Sequence, residues 1–348
     1  MAAIAAPLAK IRKKLVKRAA KEHSQTLRRA FQFAFLALNV WIGAEFYLFV
    51  RYYETGGRSP WAGRPPGVEG WLPIASLMNL KVWLMSGRVP ALHPAGMFLL
   101  IAFLAASWLF RKSFCGWLCP VGTVSEYLWR LGRRAFGRNS RLPRGADIAV
   151  RSLKYILLGL FLYAVGAMPV DEIRAFLSGP YGMVDDVKML NFFRFLGLTG
   201  CTVTAVLAIA SVFIQNFWCR YLCPYGALMG LVSLASPLRI RRDPGVCIDC
   251  AKCAKACPSA LPVDRLIAIR SAECTGCLEC VAACPAAGAL RLSTPRARRA
   301  PAWVVAAGIA ALFVGICGYA RLTGHWHTYL PGSTYFELIP RANEFTHP

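Results

Sequence analysis

A mainly α-helical membrane fold, five spans with a small cysteine-rich module inserted before the last, is predicted by three observations. The chain is 56% hydrophobic yet carries a formal net charge of +24. Its apolar residues gather into five stretches near the ~20 residues that a helix needs to cross hydrocarbon. Its basic residues gather between them. Soluble domains seldom combine such apolarity with such charge, whereas a bilayer calls for both at once.

The elements follow in order. Residues 1–29 form a basic segment, and Lys10 to Lys21 (KIRKKLVKRAAK) reads as an amphipathic helix lying on the membrane surface. The pair Arg28-Arg29 is similar to a twin-arginine signal. No small-residue cleavage site follows, however, and Glu45 interrupts the apolar run, so an uncleaved first span is expected. The five apolar stretches are 30–50, 91–110, 153–170, 196–215 and 301–320. Lys154, the basic residue among them, sits at an edge where its stem can snorkel to the headgroups. Residues 72–87 are apolar but too short to cross, and are expected in the interface or as a re-entrant segment. Between the second and third spans, Glu126, Trp129, Arg130, Arg133 and Arg134 fall at near-helical spacing and predict a surface helix with a solvated or lipid-bound charged face.

Segments 1–29, 111–154 and 216–300 hold 9, 10 and 12 of the 41 Lys and Arg. Cytoplasmic segments carry the Lys and Arg excess, so five crossings from a cytoplasmic N-terminus put all three on one side of a bacterial inner membrane. The tail 321–348 then emerges in the periplasm. A pI near 9.9 also fits nucleic-acid binding. The charges flank spans, though, where anionic lipid and topology account for them, and nucleic acid is not an expected partner.

The module, residues 241–295, holds Cys247-x2-Cys250-x2-Cys253-x3-Cys257-Pro258 and Cys274-x2-Cys277-x2-Cys280-x3-Cys284-Pro285. This is the bacterial two-cluster ferredoxin spacing, in which the fourth thiolate of each run ligates the other cluster. Cys247, Cys250, Cys253 and Cys284 are thus assigned to one 4Fe-4S cluster, and Cys274, Cys277, Cys280 and Cys257 to the second. Zinc takes ligands in pairs and explains the two triplets poorly. A disulfide framework is equally ill suited, because such triplets belong to reducing compartments. The fold class is therefore a five-span helical bundle with a cytoplasmic bacterial-type 2x4Fe-4S ferredoxin module before the last span.

A second pattern lies within the membrane domain, residues 30–240. Phe114-Cys115-Gly116-Trp117-Leu118-Cys119-Pro120-Val121-Gly122 recurs as Trp218-Cys219-Arg220-Tyr221-Leu222-Cys223-Pro224-Tyr225-Gly226, offset by 104 residues. Each copy follows a span running in the same direction, which makes the domain a parallel duplication. Two Cys at i and i+4 share one helix face, so Cys115, Cys119, Cys219 and Cys223 offer four soft ligands for a further Fe-S cluster or another thiophilic metal. The plain alternative is that they are small apolar fillers at Cys-Pro helix ends. Cys201 and Cys317, single residues within spans, read as packing.

Two Cys-x3-Cys-Pro motifs after spans, followed by the double cluster run, resemble the NapH, MauN and NosR group of ferredoxin-type membrane proteins. The resemblance covers Arg28 to about Ala320, and Arg64-Pro65-Pro66-Gly67-Val68-Glu69-Gly70-Trp71-Leu72-Pro73-Ile74 is also similar to this group. It implies electron transfer with a periplasmic reductase or dehydrogenase system, or a maturation role for such an enzyme. Two features depart from it: there is no room for the flavin domain of the NosR type, and a fifth span and tail follow the module.

Haem is not expected: no Cys-x-x-Cys-His occurs, and His23, His93, His325, His327 and His347 lie outside the middles of the spans. Quinone remains a candidate ligand near the outer face. Glu45, His93 and His325-Trp326-His327 are its candidate residues, each with a plain alternative as a solvated group or interfacial anchor. No phosphate loop or acid/base pair is recognisable. The sequence thus reads as an electron carrier relaying single electrons between a quinol or cytoplasmic donor and a membrane or periplasmic acceptor. The alternative is an assembly factor supplying electrons or metal to a metalloenzyme. A redox sensor would share the clusters but needs an output domain.

Overall fold

A computed structural model describes residues 17–19, 22–140, 142–296 and 298–347. Each of the five apolar stretches is helical. Three of the helices are long and apolar enough to cross a membrane: Ser24–Glu54, Gly145–Ala167 and Ala302–Leu322. Leu198–Phe213 reaches span length together with Asp185–Arg194, from which it is bent by 81°. Pro94–Leu109 has 16 residues, about 24 Å at 1.5 Å per residue, against a hydrocarbon core of ~30 Å.

The short helix is apolar because it is core. Residues Pro94 to Leu100 are all buried, as are Ala102, Phe103, Ala106 and Ser107. It packs against Ala302–Leu322, against the Pro73–Ser86 helix and against Pro224–Ser233. An all-round apolar helix is what either a membrane span or a core helix requires, so composition could not separate the two.

Each half of the duplication runs through the same four steps. A 16-residue helix ends, Pro94–Leu109 in one half and Leu198–Phe213 in the other. A left-handed residue then breaks the chain, Arg111 (φ 66) or Asn216 (φ 53). A five-residue π-helical turn follows, Phe114–Leu118 or Trp218–Leu222. Finally Cys-Pro opens a new helix, Pro120–Phe136 or Pro224–Ser233. Proline suits a first helical position, since its missing N–H would have no partner there and its φ is preset. The expectation of two cysteines on one α-helix face is therefore corrected. Cys115 lies in the π-helical turn, while Cys119 is extended (φ −64, ψ 118) and caps the next helix. The Cys-Pro pair starts a helix; it does not end one.

The cysteine-rich module is closed by an antiparallel ribbon, Arg239–Arg242 against Leu290–Ser293, with Ile240 opposite Leu292. Those residues join Leu261, Val263 and Ile269 in one core that continues into Phe103, Phe114 and Trp117 of the first half of the duplication. The predicted surface helix over Lys10 to Lys21 lies mostly outside the described residues. Residues 17–19 are extended, and Arg18 bridges Ala286 of the module. At the far end of the bundle, Phe46, Phe49, Val50 and Tyr53 pack against Val184, Val187 and the tail residues Tyr335, Leu338 and Ile339. The tail forms a short helix, Gly332–Leu338.

Candidate electron-transfer site

The module holds two small cavities of matched size, about 20 Å3 each. Cys247, Cys250, Cys253 and Cys284 line one. Cys257, Cys274, Cys277 and Cys280 line the other. The exchange arises locally: the Lys252–Ala256 helix carries Cys253 toward the first cavity and delivers Cys257, at its C-terminal end, to the second. Left-handed Asp249, Ala251, Gly276 and Leu278 bend the ligand loops. Burial pushes Cys277 up to about 12 and Cys280 well above the ordinary thiol value. Ionised sulfur in such a place needs a compensating cation, which the iron core of a cluster supplies.

Among the described residues, no group of three or more His, Cys, Asp or Glu converges on a single metal ion. Four sulfurs on one zinc would stand about 4 Å apart, given Zn–S bonds of about 2.3 Å. Each rim carries four thiols, the donor set of an Fe-S cluster.

Cys115, Cys119, Cys219 and Cys223 also come together. All four line a third cavity, about 910 Å3, between the two π-helical turns. Cys119 Sγ accepts from Gly122 N at 3.4 Å, and Cys223 Sγ from Gly226 N at 3.2 Å. Each thereby caps a helix N-terminus, where the backbone favours negative charge. Burial works in the opposite sense and pushes Cys115 up to about 11 and Cys119 up to about 12. Half-buried thiols, two of them with aligned N–H groups, fit a thiolate-ligated group.

The module docks directly onto this site. Gly116, between the first two of these cysteines, lies so close to the module that a Cβ there would sit 2.8 Å from Thr275 O. Trp117 Nε1 donates to Gly276 O at 3.2 Å, and Arg111 Nη2 to Ser271 O at 2.7 Å. A buried ionic clamp holds the joint. Arg28 donates to Glu126 at 2.7 and 2.8 Å, to Glu279 at 2.7 Å and to Gly116 O at 3.3 Å. Arg130 also reaches Glu126 and Glu279. Burial would raise Glu126, but the hydrogen bond and charge of Arg28 bring it down to about 2. The charged face of the 120–136 helix was expected to be solvated or lipid-bound; Arg133 and Arg134 are exposed, whereas Glu126 and Trp129 are buried. Lys154 likewise does not snorkel. It is 0% exposed and donates to Glu273 Oε2 at 2.7 Å.

The 910 Å3 cavity continues away from the cysteines along the first helix, past Trp41, Glu45, Trp71, Cys317 and Trp326. Its walls are mostly apolar. Glu45 and Trp326 are half-buried, whereas His325, His327, His23 and His347 are exposed. His93 is buried outside this cavity, in an ionic cluster where Arg64 pairs with Glu69 at 2.6 Å and Asp186 at 2.7 Å. His93 Nε2 meets Gly182 O at 2.8 Å, and Thr328 Oγ1 donates to Glu69. These contacts tie the first loop to the tail. Cys201 is exposed on its helix and joins no site. Lys112, Glu273 and the Arg28 clamp are the residues sequence reasoning missed; the signal was weak, an acid directly before Cys274 and a lysine three before Cys115.

The family described as a 4Fe-4S binding domain matches twice, at residues 92–139 and 196–242, which are the two copies of the duplicated unit. The family described as a 4Fe-4S dicluster domain matches residues 239–289. YccM of Escherichia coli strain K12, whose name assigns it to electron transport, is 48% identical over 331 residues, 93% of each chain. The methylamine utilization ferredoxin-type protein MauN of Methylorubrum extorquens is 30% identical, over 55% of this chain and 62% of its own. The ferredoxin-type protein NapH of Haemophilus influenzae is 27% identical, over 54% and 62%. No solved structure matches the chain.

Proposed function

As the chain belongs to the family of ferredoxin-type electron-transport proteins that includes YccM, MauN and NapH, we propose that it relays single electrons across a membrane interface through cysteine-held iron–sulfur centres. Cys247, Cys250, Cys253 and Cys284 would hold one 4Fe-4S cluster, and Cys257, Cys274, Cys277 and Cys280 the second. Cys115, Cys119, Cys219 and Cys223 would hold a third centre. Such clusters take up and release one electron at a time, at potentials set by burial and by hydrogen bonds to sulfur.

One observation carries this reading. The second ferredoxin cavity and the large membrane-side cavity share wall residues: Pro258, Ser259, Thr275 and Cys277 line both. In this reading three cysteine cradles follow one another, the first at the exposed surface, where Cys250 and Ile248 face solvent. The extension beyond the third, with Trp41, Trp71 and Trp326, has the apolar lining expected for a quinone. The Lys and Arg distribution supports a five-span arrangement in a bacterial inner membrane with the module cytoplasmic and the tail periplasmic. The donor is then a quinol or a cytoplasmic protein, and the acceptor lies in the membrane or periplasm.

Iron analysis and spectroscopy on anaerobically purified protein test it. About eight iron atoms belong to the two ferredoxin clusters; the wild type should exceed this, and Cys119→Ser should lose only the excess. Wild-type protein with eight iron atoms and no further metal would make the duplicated motif structural. A role in maturation would appear as a partner enzyme that, once matured, turns over without this protein.

A further inference from the structure

The charges around the four-cysteine cavity are unequal in a way the ferredoxin module does not explain. Arg28 and Arg130 are matched by Glu126 and Glu279. Arg220, beside Cys219, pairs with Asp147 at 2.8 Å, which also takes partly exposed Arg151. Two buried lysines, by contrast, share one carboxylate. Lys154 Nζ lies 2.7 Å from Glu273 Oε2, and Tyr155 Oη donates to Glu273 Oε1 at 2.8 Å. Lys112 Nζ is 4.0 Å from the same carboxylate, beyond hydrogen-bond reach. Lys112 is 3% exposed and lines the cavity with the four cysteines. Among the described residues its ammonium makes no hydrogen bond.

An ammonium buried without a hydrogen-bonding partner is costly, unless a negative charge stands beside it. The nearest carboxylate, Glu273 at 4.0 Å, is already bonded by Lys154, which leaves room for a further negative charge in the cavity. At the 104-residue offset of the cysteines the position of Lys112 falls on Asn216, which lines the same cavity and is neutral, although Asn216 takes the left-handed place that Arg111 holds in the first half.

Resting on the reading of the four-cysteine site as a redox centre, we propose that Lys112 is its charge-compensating residue: it favours an anionic, thiolate-ligated iron–sulfur group and raises that group's reduction potential. Four thiolates bring more negative charge than an iron–sulfur core offsets, and an added electron makes the group more negative still. A fixed cation alongside stabilises the reduced form more than the oxidised one. Lys112 lines the membrane-side cavity and not the nearer ferredoxin cavity, so its charge acts chiefly on the former and makes that centre the better electron acceptor. Lys112 is a positioning residue and holds no metal.

The test is a redox titration of the full-length protein in detergent, following the signal that Cys119→Ser removes. In Lys112→Met the reduced-to-oxidised ratio of that signal at a fixed potential should fall at least tenfold, a shift of about 59 mV for one electron. The distal ferredoxin signal should stay in place, and Lys112→Arg should remain near the wild type. Should Lys112→Met fail to load the centre while Lys112→Arg loads it, the charge requirement stands. Equal failure of both variants, or an unmoved or raised potential in Lys112→Met, overturns the proposal while leaving the centre itself intact. A wild type with no third signal, or with zinc in the site, overturns this proposal together with the reading it rests on.

Discussion

Replacing Arg28 by Met should release the ferredoxin module from the membrane domain. The guanidinium is 1% exposed and bonds to two carboxylates from different parts of the chain and to Gly116 O. Removing one partner of a buried ion pair costs about 3–5 kcal/mol, because the other charge stays buried. Arg130 still reaches Glu126 and Glu279 after the change, which argues for the lower end, about 3 kcal/mol. At about 1.4 kcal/mol per decade, opening of the joint becomes roughly a hundredfold more frequent. Hydrogen exchange reads this directly: amides of residues 274–280 should exchange about a hundredfold faster, while the 239–242 and 290–293 ribbon keeps its protection. Adding Glu126→Gln should recover part of the loss. The pH profile gives a second reading. Glu126 is held at about 2 against an ordinary 4.5, so its contribution is complete above about 4.5 and drains away as pH falls toward 2. Unchanged protection in Arg28→Met, or equal acceleration throughout the protein, would refute the clamp.

Cysteine replacements should sort by cavity and not by run: Cys284→Ser is expected to damage the same cluster as Cys247→Ser, and Cys257→Ser the same as Cys274→Ser, read by the spectrum of the surviving cluster. If Cys284→Ser and Cys274→Ser lost one cluster in common, the crossed assignment would fail. Reporter fusions after Lys112, Arg242 and Arg299 should report cytoplasm, and fusions after Glu54, Asp186 and the C-terminus the periplasm. A cytoplasmic C-terminus would break the five-span arrangement. Gly116→Val should weaken module docking and speed exchange at 274–280, since its Cβ would meet Thr275 O at 2.8 Å; wild-type exchange there would show the contact to be dispensable.

The cysteine runs were legible because cluster ligation fixes both residue type and spacing, and the two cavities gather the same two sets that the crossed assignment names. The duplication was equally legible, and each copy matches the same family. Its geometry was not. Spacing alone suggested an α-helical face, whereas a left-handed residue and a π-helical turn set Cys115 and Cys119. Apolar length could not show that the helix Pro94–Leu109 is buried among other helices on most of its residues. Long-range charge pairing was the least visible layer. Arg28 and Glu126 are 98 residues apart, and Lys154 and Glu273 are 119 apart. In sequence, each resembles an ordinary surface or interface charge, and only the packed module removes it from water. His93 was flagged, but its partners Arg64, Glu69 and Asp186 come together only when the loops fold over one another.

The central claim is that the four membrane-side cysteines connect the ferredoxin module to the membrane. The direct measurement is electron transfer in vesicles holding the full chain and a quinone, with a low-potential reductant supplied on the module's side. The account predicts reduction of the membrane acceptor by the wild type, and its loss in each of Cys115→Ser, Cys119→Ser, Cys219→Ser and Cys223→Ser while both ferredoxin clusters remain reducible. Wild-type transfer by all four variants would contradict it.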